Sequence, residues 1–149
     1  MTAPADATDN AAGCTLLAWS GRSASFAVEA ASVEHVGEEH EWRGQAVLDL
    51  TLALDLDERM EPVRVLGLRA GASRFGLKAF GAMRLCVVAW RDVLDVPPLI
   101  RVRGPGRLVR KLAVMDGAPA LWILDADAIG RAALGERKVF EEGVLESAE

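Results

Sequence analysis

At 149 residues, with 51% hydrophobic and 26% charged side chains, the chain has the size and balance of one ordinary globular domain, or of two small subdomains sharing a core. Its longest strictly apolar run, Leu85-Cys86-Val87-Val88-Ala89-Trp90, is too short to span a bilayer, and a net charge of −5 works against general affinity for nucleic acid. Two cysteines without metal-type spacing support neither a disulfide framework nor a zinc site.

In chain order, residues 1–13 are rich in Ala, Asp and Thr and lack the basic start and apolar middle of a secretory signal. They read as a disordered leader of a cytoplasmic protein, ahead of a folded body over 14–134 and a tail over 135–149. Leu16 to Trp19 reads as a strand that turns through Gly21 to Ser25 into Phe26 to Glu29, a hairpin with Phe26 and Val28 on one face. Ser32 to Gly37 continues extended, Gly37 to Glu41 forms an acidic loop, and Gly44 is expected to bend the chain before a strand at Val47 to Asp49. Leu48, Leu52 and Leu56 at four-residue spacing predict a helical turn or two, and Asp57 to Pro62 is a crossover.

Val63 to Arg69 mixes apolar residues on both faces, as expected of a strand buried on both sides. Phe75 and Leu77 share a face, Leu85 to Trp90 is a strand candidate, and Val96-Pro97-Pro98 imposes an extended connection. Ile100 to Arg103 alternates before a Gly104-Pro105-Gly106 turn, and Leu108 to Met115 follows. Asp116-Gly117 predicts a two-residue hairpin turn into Leu121 to Leu124. Asp125 is placed to cap a helix from Ala126 to Leu134, with Gly135 as its stop.

The order repeats. Phe26 and Phe75 stand 49 residues apart and Val33 and Met83 stand 50 apart, whereas the closing Leu-Asp pairs at 49 and 125 are 76 apart. The second copy therefore carries extra residues before its Leu-Asp.

Reactive constellations are scarce. His35 and His40 lie among Glu34, Glu38, Glu39 and Glu41, but five residues apart across a glycine loop, which favours a solvated acidic loop over a metal site. The serines lack a Gly-x-Ser-x-Gly elbow and fit turn chemistry. Asp125 and Asp127 fit helix capping better than acid/base work. Arg101, Arg103, Arg107, Arg110 and Lys111 around Gly104-Pro105-Gly106 form the one cationic cluster, read as a partner-docking edge rather than a phosphate loop, because Pro105 lacks a backbone donor. No aromatic residue interleaves with these arginines, which disfavours the rival reading of a small β-barrel that binds nucleic acid or a small ligand.

The segment from Leu16 to Leu134 resembles the CheW family of chemotaxis coupling proteins. Phe26-Ala27-Val28, Val33-Glu34-His35-Val36, Arg43-Gly44 and Leu48-Asp49-Leu50 stand in the order of that family's first subdomain. Gly76-Leu77, Val96-Pro97, Asp116-Gly117 and Leu124-Asp125 follow the order of its second. The resemblance implies an all-β fold of two intertwined five-stranded SH3-like β-barrels with one or two short helices. It also implies a non-enzymatic cytoplasmic adaptor that needs no cofactor, whose partners are a methyl-accepting chemotaxis receptor and a CheA-type histidine kinase. Carried onto this chain, the receptor-side residues are Val33, Val36 and Arg43. The chain departs from the family where only Gly37 to Trp42 separates Val-x-x-Val from Arg-Gly, so the first barrel is expected to be trimmed, and with it the surface that meets the kinase.

Overall fold

The structure is a computed structural model that describes residues 13–21, 24–53, 63–97 and 107–135. The expected leader (apart from Gly13), the 57–62 crossover, the Gly104-Pro105-Gly106 tip with Arg101 and Arg103, and the tail from 136 onward lie outside those residues. The described strands are β1 (Gly13–Ser20), β2 (Ser25–Glu29), β3 (Val33–Gly37), β4 (Val47–Asp49), β5 (Val63–Ala70), β6 (Ser73–Phe80), β7 (Met83–Ala89), β8 (Val93–Asp95), β9 (Val109–Ala113) and β10 (Leu121–Leu124). One helix, α1, begins at Leu50 and is described to Ala53, and a second, α2, spans 126–135.

Two sheets carry these strands, a six-stranded one in the order β7-β1-β2-β10-β9-β8 and a four-stranded one in the order β3-β5-β6-β4. In the larger sheet the edge strands β7 and β8 are joined only by the 3₁₀ turn Trp90–Asp92, so they are two arms of one bent strand and the sheet curls into a barrel of five staves. The smaller sheet repeats the central order. Its hairpin β5-β6 corresponds to β1-β2, with an antiparallel neighbour on one side (β3 beside β5, β7 beside β1) and a parallel neighbour on the other (β4 beside β6, β10 beside β2). The first hairpin thus sits in the sheet completed by the second half of the chain, and the second hairpin in the sheet completed by the first half. That exchange is what intertwines the two barrels.

Registers confirm the spacing seen in the sequence. Trp19 pairs with Phe26 and Leu68 with Phe75, and all four are buried. Between the two sheets lies one core, built from Leu17, Trp19, Phe26 and Val28 on one side and Leu66, Leu68, Phe75 and Leu77 on the other, closed by Ile129 of α2. Each such side chain contributes about 1.5–3 kcal/mol on burial. Inside the larger barrel a separate apolar cluster gathers Cys14, Leu16, Ala18, Ala27, Val88, Ala113, Leu121 and Ile123, with the partly buried Cys86 packed against it.

The extra residues of the second copy make extra strands. Between β7 and β10 the chain spends residues 90–120 and builds β8 and β9; between β3 and β4 it spends only 38–46 and builds a 3₁₀ turn, Glu39–Trp42. Two sequence expectations are adjusted here. Asp116-Gly117 is a turn with Gly117 at φ 73°, but β9 ends at Ala113 and β10 starts at Leu121, so the hairpin closes through a seven-residue loop rather than two residues. Gly13 already belongs to β1, because it pairs with Ala89 across the β1-β7 ladder.

Candidate functional site

The two copies differ most inside their barrels, at matching positions. Where the larger barrel turns Leu16, Ala18, Ala27 and Ile123 inward, the registers place Val65, Gly67, Gly76 and Val47 at the corresponding positions of the smaller one. The space left by two missing methyl groups is taken by an indole. A Cβ on Gly67 would lie 3.0 Å from Trp42 Cζ2, and one on Gly76 would lie 3.1 Å from Trp42 Cε3. Trp42, at the end of the 3₁₀ turn, therefore lies on a floor of backbone, as a plug where the larger barrel has β9.

Polar contacts hold that turn in place. His35 Nε2 donates to Glu41 Oε2 over 3.0 Å, Glu38 N donates to Glu41 Oε1 over 3.3 Å, and Glu41 N donates to the Glu38 carbonyl over 3.1 Å. The hydrogen bond from His35, followed by that from the Glu38 backbone, lowers the Glu41 pKa below its ordinary value of 4.5. Lys78 Nζ reaches across from β6 to Glu39 Oε2 at 2.8 Å and stands 3.9 Å from Asp49 Oδ2. His40 Nδ1 stands 3.3 Å from Glu38 Oε2. Among the described residues no group of three or more His, Cys, Asp or Glu side chains could hold a metal; the histidines of the acidic loop instead brace it.

On one side of Trp42 the barrel opens into a cavity of about 650 Å³, walled by Val47, Val63 and Val65 and rimmed by Arg43, Arg64 and Lys78. On the other side a smaller one of about 290 Å³ lies between Glu34, His35, Gln45 and Arg74. Arg74 Nε and Arg69 Nη1 both contact the Glu34 carboxylate, at 2.9 and 3.3 Å.

The structure separates the residues that the sequence reading grouped. A register shift between Val33 and His35 sets Val33 opposite Leu68 and Val36 opposite Leu66, so both valines point to the face shared by the two sheets, because antiparallel partners point to the same side. Val33 packs against the shared core, while Val36 is 44% exposed at its rim. Arg43 is elsewhere, exposed at the mouth of the small barrel. Of the expected docking edge, Arg107 and Arg110 fall within the described residues, on and just ahead of β9, and Arg110 Nη1 stands 3.5 Å from Glu29 Oε1. Next to it, Lys111 stands 5.6 Å over the Trp90 ring and 4.0 Å from Asp95. Arg110 and Lys111 thus have acidic or aromatic neighbours within the fold.

One feature was missed in the sequence. Leu85, read as part of a continuous apolar strand, is 70% exposed, and so is Val87 at 68%. Leu85 pairs with Leu17 as Val36 pairs with Leu66, so the two are counterparts under the internal repeat, each an apolar residue at an open rim of the shared core. The signal was available in the repeat spacing rather than in hydrophobicity. Cys14, by contrast, is buried: burial first, then the Glu29 carboxylate, raises its thiol pKa above the ordinary 9.0.

The described residues include no helix long and apolar enough to cross a membrane. No protein-family model matches the chain, and no curated protein matches it in sequence. Among solved structures it is similar to the scaffolding protein TtCheW from Thermoanaerobacter tengcongensis, with a TM-score of 0.60 over 75% of this chain and 88% of that one, at 14% sequence identity. The fold is therefore CheW-like, an all-β pair of SH3-like barrels.

Proposed function

We propose that the protein is a non-enzymatic adaptor of a chemosensory assembly, binding the helical tip of a methyl-accepting receptor across the face shared by its barrels. The observation that carries this reading is the strand-exchanged double barrel itself, shared with a scaffolding protein. The exposed apolar rims at Val36 and Leu85 support it, since an amphipathic helix docks through apolar anchors one turn apart. Val33, behind Val36, would support the rim, and Arg43 would set orientation from the barrel mouth. Arg43→Glu is expected to weaken receptor pull-down while leaving the fold intact; undiminished capture would remove Arg43 from the contact. Val36→Glu places a charge on the rim itself and is expected to abolish capture, and retained capture would sink the reading.

A CheA-type histidine kinase is the second partner that the resemblance brings. A narrower reading, an adaptor that holds receptor without recruiting kinase, is favoured by the 3₁₀ turn Glu39–Trp42 standing where the other copy builds β9. Size-exclusion chromatography of the protein with a kinase regulatory domain tests it. Separate elution is expected, and co-elution would restore the kinase contact.

A further inference from the structure

We infer that the small barrel is a binding site for an amphipathic organic anion, with a flat apolar body lying on Trp42 and a carboxylate held by Arg64. The cavity of about 650 Å³ falls within the range of pockets that enclose small ligands, about 300–1,000 Å³. It exists because the copy lacks the strand that closes its sister, where eight apolar side chains fill the interior. Its inner wall is apolar, from Val47, Val63, Val65 and the face of Trp42.

Charge decides the class of ligand. Around the cavity Lys78 is opposed by Glu39 and Asp49, and Glu38 stands beside His40. Arg64 and Arg43 have no carboxylate within ion-pair distance among the described residues. Arg64, half-buried on β5, donates through Nη1 to the Val63 carbonyl over 2.9 Å, which tethers the guanidinium at the cavity wall and leaves its other donors available. A guanidinium fork so placed matches the two oxygens of a carboxylate. A neutral ligand of the same shape would leave that fork without a partner, and a cation would face two like charges.

Titration calorimetry of the full chain with 2-naphthoate, and with neutral 2-naphthalenemethanol as the matched control, tests the inference. Saturable one-to-one binding of the naphthoate is expected, about tenfold tighter than the alcohol. Arg64→Gln should abolish that discrimination, whereas Arg84→Gln, an exposed cation on β7, should preserve it. Amide and indole NMR shifts should change at Trp42, Val47 and Val65. The inference is overturned by the absence of saturable binding, by equal affinity for the two compounds, by discrimination that survives Arg64→Gln, or by shifts confined to the shared core. Arg64→Gln alters a side chain at the cavity wall and none of the core, so an unchanged amide spectrum apart from its neighbours verifies that the variant is folded.

Discussion

The two barrels share a strand order but not an interior. The larger closes because β7 and β8 are two arms of one bent strand, and it fills itself with aliphatic side chains. Lacking equivalents of β8 and β9 among the described residues, the smaller has glycines at two inward positions and uses one indole as filler. A lost strand has been compensated by a bulkier plug and a thinner floor, a solution that preserves packing near the shared core but leaves the far end open. The lesson is that internal duplication conserves register more strictly than it conserves volume.

The sharpest way to break the comparison is to remove matched inward side chains. Leu16 and Val65 occupy equivalent positions and both are fully buried. Leu16→Ala should cost about 2–5 kcal/mol in urea unfolding, because its filled surroundings cannot collapse into the gap. Val65→Ala should cost only about 1–2 kcal/mol, with fewer atoms lost and an indole beside it free to settle. Equal losses would mean that the small barrel is as tightly packed as the large one.

Next in size are changes to the plug. Trp42→Ala should cost about 2–3 kcal/mol, less than a fully buried tryptophan because the residue is only partly buried. Its effect should be local, with faster amide exchange in β5 and β6 and little change in β1 and β2. Gly76→Ala probes the floor from below: its Cβ would meet Val65 Cγ1 at 2.8 Å, Val47 Cγ2 at 3.0 Å and Trp42 Cε3 at 3.1 Å, so overpacking should cost about 1–3 kcal/mol. The counterpart Ala27→Gly should destabilise instead through a lost methyl group and a looser chain, by about 1 kcal/mol. A neutral Gly76→Ala would show that Trp42 does not rest on the backbone.

Much of this architecture was legible in the chain. Phe26 and Phe75, Val33 and Met83, and the two Leu-Asp pairs mark strands that occupy equivalent places in the two sheets, because a buried face demands the same residue type at the same register. The exposure of Leu85 and Val87 was not legible in hydrophobicity, which records what a strand can bury and not whether a neighbour arrives to cover it. Nor was the shared direction of Val33 and Val36, which at odd spacing should face opposite ways along a regular strand. The register shift before His35 reverses that, and a bulge of this kind leaves no distinctive residue behind. The small-barrel cavity escaped for a third reason: it depends on Gly67 and Gly76, paired across one hairpin, meeting Trp42 from a separate segment of the chain.

The helix caps offer a smaller test. Each copy ends on Leu-Asp followed by a helix, and each aspartate accepts from the turn it opens: Asp49 Oδ1 from Thr51 N and Oγ1 at 3.0 and 2.6 Å, and Asp125 Oδ1 from Asp127 N and Ala128 N at 3.0 and 3.3 Å. Replacing either by Ala should cost about 1 kcal/mol, and Asn should recover most of the loss at both. A much larger cost at Asp49 would show that its nearness to Lys78 matters more than the cap.

The smallest effect belongs to the brace of the plug, which has no counterpart in the large barrel. The folded-state pKa of Glu41 lies below its ordinary 4.5, chiefly through the hydrogen bond from His35. A depressed carboxyl pKa contributes stability above the unfolded-state value, and the contribution is lost as pH falls through the folded-state value. The brace should therefore be intact at neutral pH and should loosen only in acid, below pH 4.5. Carboxyl titration by NMR is expected to place the Glu41 midpoint below 4.5 in the native chain and closer to it in His35→Ala, with the remaining depression supplied by the Glu38 backbone. Amide exchange of the Glu39–Trp42 turn should quicken over the same pH interval. A midpoint indifferent to His35 would mean that the backbone alone holds the turn, and that the indole stays seated by packing rather than by its polar latch.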